Sequence, residues 1–361
     1  MKQWQETLQI LQRLEDLTKA GRDVALATVV HIEGSSYRRP GAKLLIEAEG
    51  TTLGGVSGGC LEADVREVGL GSLRTNCPSL RHYDTGGDEN IVWGLGLGCD
   101  GAVDVFVQPL TEPGVRSLLA RVRQLLTGDD PVALCTVIEG PNLGRCLVVT
   151  RDEVMDPSNE EAGSHNDIVR RARTCLESGQ SQLDDLAAGR VFTEILLPPP
   201  RVLVIGAGDD AMPLVRYAAD VGFRVTVVDH RPAFLKRERF PAAVDLVNVR
   251  PEDGLDEWRT ESRNLAVVMT HSLGMDRAWV EFLNKTPIQY IGVLGPRART
   301  EKIVQEVGGD GNRVFGPVGL DLGADGPEQV ALSIVGELLA VHAGREPRHL
   351  RHRESGIHVA G

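Results

Sequence analysis

Arg201-Val202-Leu203-Val204-Ile205-Gly206-Ala207-Gly208-Asp209-Asp210-Ala211 is the stretch whose reading decides the fold. An apolar strand runs into a glycine turn, and an amphipathic segment reaching to about Asp220 follows. Strand, Gly-x-Gly-x-x-Ala and helix, with an acidic residue about twenty positions on at Asp229, form the pattern of a Rossmann-like nucleotide fold. Arg224-Val225-Thr226-Val227-Val228 reads as the next strand, closed by Asp229. Alternation continues through 245–249, 265–270, 276–283, 288–294 and 297–307, and an apolar helix runs from Pro327 to about Val341. Strands alternating with helices predict a doubly wound α/β domain over 201–344. Open sheets of this kind bind ligands at strand C-terminal ends. Gly206, Gly208, Asp229, His230, Arg231 and His271 are therefore the candidate ligand-binding residues of this half. Asp209 and Asp210 stand where a pyrophosphate would dock on a helix start and would repel it unless a metal intervened. Asp209 as a plain helix cap explains its presence equally well.

Upstream lies a proline hinge, Leu197-Pro198-Pro199-Pro200, which sets residues 1–196 apart as an N-terminal α+β domain. Residues 345–361 form a tail rich in Arg and His. Trp4, Leu8, Leu11 and Leu14 fall at helical intervals, with Gly21 as the stop, and Val24–Val30 reads as a buried strand. A loop over 34–41 and a second strand over 42–46 follow. The order recurs near position 120: a helix end at 122–126, a turn at 128–131, and strands at 132–138 and 145–149. Val24-Ala25-Leu26-Ala27-Thr28-Val29 against Val132-Ala133-Leu134-Cys135-Thr136-Val137 is either an internal duplication or a chance likeness of two buried strands.

The N-terminal half carries its own chemistry in Gly54-Gly55-Val56-Ser57-Gly58-Gly59-Cys60-Leu61-Glu62-Ala63-Asp64-Val65. Leu61, Val65 and Val68 share one face, which predicts a helix starting near Cys60. Unpaired N–H groups at a helix start favour the thiolate, the form that attacks electrophiles and ligates soft metals. Gly58 and Gly59 lack a Cβ and let a bulky ligand approach the backbone. A tight turn before a buried cysteine is the other reading. Gly34-Ser35-Ser36-Tyr37-Arg38-Arg39-Pro40-Gly41-Ala42-Lys43 adds Arg38, Arg39 and Lys43 as phosphate-contact candidates, since arginine forks suit phosphate oxygens. Trp93-Gly94-Leu95-Gly96-Leu97-Gly98-Cys99 brings a second thiol, Cys99, as a companion to Cys60 and Glu62. The second copy of the strand pattern lacks both the arginine loop and the Gly-Gly-Cys.

Composition sets outer bounds. The 361 residues suffice for two domains, and a formal net charge of −12 argues against a nucleic-acid partner. No apolar run reaches membrane-spanning length. The six cysteines form no C-x-x-C pair, so reduced thiols and a cytoplasmic location are the expectation.

Taken in order, these motifs resemble the XdhC/CoxI family, the accessory proteins of xanthine dehydrogenase and related molybdenum hydroxylases. The resemblance rests on 34–42, Gly58-Gly59-Cys60-Leu61-Glu62 and Gly96-Leu97-Gly98-Cys99. It continues in 204–208, Val228-Asp229-His230-Arg231-Pro232, 290–295, 316–324 and 331–334. It implies a cofactor-binding chaperone rather than a catalyst. Such a protein binds the molybdenum cofactor (molybdopterin, or a dinucleotide form of it) while a terminal oxo ligand is exchanged for sulfido. It then delivers the cofactor to an apo molybdenum hydroxylase. Cys60 is then the metal-holding residue, a cysteine desulfurase is a partner, and the protein is a homodimer. Many members carry His directly after Gly-x-Gly, where this chain has Asp209, so no role of that His transfers. The alternatives are an NAD(P)-linked oxidoreductase using the second half, and a scaffold in which Cys60 is dispensable.

Overall fold

The computed structural model describes residues 2–34, 38–84, 101–158, 162–254, 263–308 and 311–352. Two compact units divide the chain between Pro198 and Pro199.

The first unit opens with α1 (Lys2–Lys19), whose buried Ile10, Leu11, Leu14 and Leu17 make one apolar stripe. Gly21, at φ +67°, ends it: its N–H reaches Thr18 O, and the Arg22 N–H reaches Leu17 O. There follow β1 (Val24–Gly34), β2 (Lys43–Glu47), β3 (Thr52–Gly54), α2 (Glu62–Thr75), β4 (Ser79–Asp84) and β5 (Gly101–Pro109). The sequence of elements then repeats as α3 (Pro113–Leu125), β6 (Val132–Glu139), β7 (Cys146–Val149), β8 (Val154–Met155), α4 (Ala162–Ser178), β9 (Gln182–Leu186) and β10 (Gly189–Leu196). The two antiparallel sheets have matching strand orders, β3-β2-β1-β5-β4 and β8-β7-β6-β10-β9. That identity of topology decides for duplication over chance likeness.

Alternation along the strands divides the core. Ala25, Ala27 and Val29 of β1 pack under α2, and Ala133, Cys135 and Val137 of β6 take the same place in the second half. The opposite faces meet each other through Val30, Phe106, Ile138 and Phe192. Register carries the equivalence down to single residues. Thr28 pairs with Lys43 and Thr136 with Cys146, while Leu26 pairs with Gln108 and Leu134 with Glu194. Lys43 therefore corresponds to Cys146, and Gln108 to Glu194. Lys43 Nζ grips both Glu194 oxygens at 2.6 Å, and Cys146 Sγ contacts Gln108 Oε1 at 3.7 Å. Each pair joins one half to the other, as a two-fold arrangement of the copies demands.

The second unit comprises β11 (Arg201–Ile205), α5 (Ala211–Asp220), β12 (Arg224–Asp229), β13 (Asp245–Asn248), β14 (Leu265–Val268), α6 (Leu273–Asn284), β15 (Tyr290–Val293), α7 (Arg297–Val307), β16 (Val314–Phe315) and α8 (Pro327–His342). Its six strands are all parallel in the order β13-β12-β11-β14-β15-β16. Val202, Val204, Val225, Val227, Leu265 and Val267 face α5 and α8, while Leu203, Ile205, Val228, Ala266 and Val268 face the α6 and α7 side. This is the expected doubly wound Rossmann-like sheet, with helices on both faces and its crevice between β11 and β14.

Candidate functional site

The Gly-Gly-Cys loop runs from the end of β3 to the start of α2. Ser57, buried although it sits in a loop, organises it. Its Oγ accepts the N–H groups of Gly59, Cys60 and Leu61 at 3.0–3.1 Å and donates to Glu62 Oε2. Glu62 Oε1 accepts the N–H groups of Val56 at 3.1 Å and Ser57 at 2.8 Å. Burial alone would raise the Glu62 carboxyl, but the Ser57 hydroxyl and these N–H groups together hold it below the usual range. Cys60 Sγ, half-buried, lies 3.4 Å from Ser57 Oγ. Gly58 and Gly59 are exposed, and among the described residues nothing lies within 4 Å of where a Cβ on Gly59 (φ +115°) would stand. The loop thus presents one thiol beside open space.

The helix expected near Cys60 is present. It begins at Glu62, two residues beyond Cys60. The N–H groups of the loop ahead of it are taken: Ser57 Oγ and the Glu62 carboxylate accept those of 56, 57, 59, 60 and 61, of which only Leu61 caps the helix. The sequence signal for this is a serine three residues and a glutamate two residues from the cysteine, short polar side chains suited to bonding local backbone.

The arginine loop does reach the same rim. Arg38 Nε approaches Ser57 O at 3.4 Å, and a Cβ on Gly55 would stand 3.0 Å from Arg38 Nη2 and 3.2 Å from Glu62 Oε1. A side chain there would press on both charged groups. Arg38, however, is engaged in a bidentate pair with Glu6 of α1 at 2.6 and 3.0 Å, so the phosphate contact expected of it is corrected. Lys43 is corrected as well: it is buried in its pair with Glu194. Arg39 is exposed. Cys99 lies outside the described residues.

In the second unit the candidates gather at the C-terminal ends of β11, β12 and β14. Gly206 has φ +113°, and a Cβ there would sit 2.5 Å from Met269 O, so glycine is required where β11 turns past β14. Gly208 lies against His271, which itself has φ +60°, an uncommon backbone for a non-glycine residue. His271 Nε2 stands 3.3 Å from Asp210 Oδ2, and Arg239 Nη2 lies 2.7 Å from Asp209 Oδ1. The two carboxylates expected to repel a pyrophosphate each have a basic partner. Arg239 also grips Ala207 O at 2.8 Å, a contact not legible in the sequence because thirty-two residues separate the two. Asp229 is buried and accepts the Ala207 N–H at 2.7 Å, the Arg231 N–H at 2.8 Å, and Arg231 Nε and Nη2 at 3.0 and 2.8 Å. His230 Nδ1 lies 3.4 Å away. Burial would raise the Asp229 carboxyl, but the Arg231 guanidinium and the Ala207 N–H hold it below the ordinary aspartate range.

A carboxyl with a depressed folded pKa stabilises fully above its unfolded value, about 3.9 for aspartate, and loses that contribution as pH falls through the folded value. Asp229→Asn is therefore expected to cost roughly 1.5–3 kcal/mol at pH 7, with the gap to the unsubstituted protein shrinking below about pH 4. Urea melts at pH 7 and pH 3 test this. A gap that stays constant would show that the charge on Asp229 is not what stabilises.

Residues 17–84 match the family model described as the XdhC and CoxI family, and residues 202–338 match that described as the XdhC Rossmann domain. Over 328 residues the chain is 34% identical to a Bacillus subtilis (strain 168) protein whose name describes it as a probable xanthine dehydrogenase subunit, covering 90% of this chain and 95% of that one. It is 27% identical over 169 residues to the uncharacterized protein YqeB of Escherichia coli (strain K12), covering 42% and 29% of the two. A crystal structure described as a xanthine dehydrogenase from Bacillus halodurans is similar with a TM-score of 0.78 at 29% identity, across 93% of this chain and 96% of that chain.

Proposed function

Since the chain belongs to the XdhC and CoxI family, we propose that it is a maturation factor for a xanthine dehydrogenase-type molybdenum hydroxylase, holding the molybdenum cofactor as cargo. The observation that carries this reading is the single thiol of Cys60 on a glycine loop, half-exposed beside open space at Gly59. Sulfur is a soft donor suited to a soft metal centre. The absence of a Cβ at Gly58 and Gly59 leaves room for a bulky pterin to lie against the backbone. Ser57 and Glu62 fix the loop, and Arg38, tied to Glu6, braces it from the side. Arg39, next in the chain to Arg38, is our candidate for the cofactor's phosphate.

In this reading the protein keeps the cofactor while an oxo ligand is exchanged for sulfido, and then passes it to the apo-hydroxylase. The oxygen leaves as water, and a cysteine desulfurase with a thiol reductant supplies sulfide-level sulfur. The test is a transfer assay. Protein loaded anaerobically with cofactor and mixed with apo-hydroxylase is expected to restore hydroxylase activity faster than free cofactor does at the same concentration. Equal rates with and without the protein would remove the delivery step from the proposal.

A further inference from the structure

The second unit contains a recognition element that the Cys60 site does not use. In Rossmann-like domains the acidic residue at the end of the second strand accepts the two ribose hydroxyls of an unphosphorylated dinucleotide. Here that residue is Asp229. An ionised carboxylate offers about four lone-pair sites. All four are occupied: Oδ1 receives the Arg231 N–H and Nε, and Oδ2 receives the Ala207 N–H and Arg231 Nη2. No acceptor remains for a ribose diol. What the strand end presents instead is the guanidinium of Arg231, its side chain 40% exposed, with Nη1 making no hydrogen bond among the described residues.

The surroundings hold this guanidinium in place. Its face lies 4.1 Å from the ring centre of Phe234, and the Arg239 guanidinium lies 5.2 Å from the same ring. Arg239 is anchored in turn on Ala207 O, Phe234 O and Asp209. His230, next to Arg231, adds a partly exposed imidazole. A planar fork with one free edge, stacked on an aromatic ring and positioned by its carboxylate partner, is built to read an anionic oxygen group rather than a neutral diol.

We propose that the Rossmann-like unit binds a nucleotide whose ribose carries a phosphate monoester, read by Arg231, and discriminates against the unphosphorylated form. The ligand committed to is an adenine dinucleotide with a 2′-phosphate. The glycine turn at Gly206–Gly208 faces its pyrophosphate, flanked by Arg239 and His271.

Titration of the full-length protein with NADPH and NADH, followed by quenching of protein fluorescence or by calorimetry, tests this without any substitution. NADPH is expected to bind at least tenfold more tightly than NADH. Adenosine 2′-monophosphate should displace NADPH at concentrations where adenosine 5′-monophosphate and inorganic phosphate do not. Arg231→Gln should abolish the preference, and Arg231→Lys should keep part of it while preserving the charge pair with Asp229. Thermal melts of both variants show whether the fold survives. NADH binding as tightly as NADPH, binding of neither, or displacement by inorganic phosphate as effective as by the 2′-nucleotide would each overturn the proposal. So would a well-folded Arg231→Gln variant that keeps the preference. Because the probes contain neither molybdenum nor pterin, these outcomes are independent of the role given to Cys60.

Discussion

Lys43→Ala is expected to destabilise the first unit by roughly 3–5 kcal/mol, the usual cost of removing one member of a buried ion pair. Lys43 and Glu194 are almost wholly removed from solvent, with side chains 2% and 5% exposed. Alanine would leave the Glu194 carboxylate inside the interface between the duplicated halves, with neither a counter-charge nor access to water. The molecule also supplies its own control. At the equivalent positions stand Cys146 of the second half and Gln108 of the first, a neutral pair, and burial pushes the Cys146 thiol up to about 11, which keeps it uncharged. Lys43→Cys combined with Glu194→Gln would install that neutral pair in both places. It is expected to recover more than half of the stability lost in Lys43→Ala, although one side chain becomes smaller. Urea unfolding of the three proteins measures this. A single variant that loses less than about 1 kcal/mol would place the pair among interactions of surface strength.

The same positions explain what the sequence does not show. Periodicity and glycine placement are enough for the Rossmann-like sheet, because parallel strands buried on both faces read as continuous apolar runs such as Val202–Ile205. Repetition of Val24–Val29 at Val132–Val137 points to the duplication, since each strand fills its own half's core with one face and a shared core with the other. The fate of Lys43 is not legible. A lysine beside an arginine loop looks like a surface cation until Glu194, 151 residues away, is brought opposite it. Arg38 misleads for the same reason: its partner Glu6 belongs to a helix whose packing no local pattern fixes. Asp229 is recognisable by its distance from the glycine turn. Its saturation by Arg231 depends on side-chain geometry that spacing alone does not encode. Short-range polar chemistry sits between these limits, for Ser57 and Glu62 lie within five residues of every group they bond in the loop, apart from Glu62's six-residue reach to Val56.

Cys60→Ala carries the largest expected effect on function. The substitution removes the sulfur and leaves Ser57 free to keep its bonds to Gly59, Leu61 and Glu62, so the loop and α2 should remain folded. Loss of affinity would then report the missing ligand and not a collapsed site. Metal–thiolate bonding contributes far more than a neutral hydrogen bond, and the affinity for cofactor is expected to fall at least a hundredfold, or about 2.7 kcal/mol. Cys60→Ser, with a harder donor of similar size, should rescue little of it.

The direct measurement is an anaerobic titration of the unsubstituted protein and of Cys60→Ala with molybdenum cofactor, with thermal melts run alongside to establish that both are folded. Tight, stoichiometric binding that collapses in the folded variant is the predicted result. Binding of equal strength in both proteins, or in neither, would contradict the assignment of Cys60 as the residue that holds the cofactor.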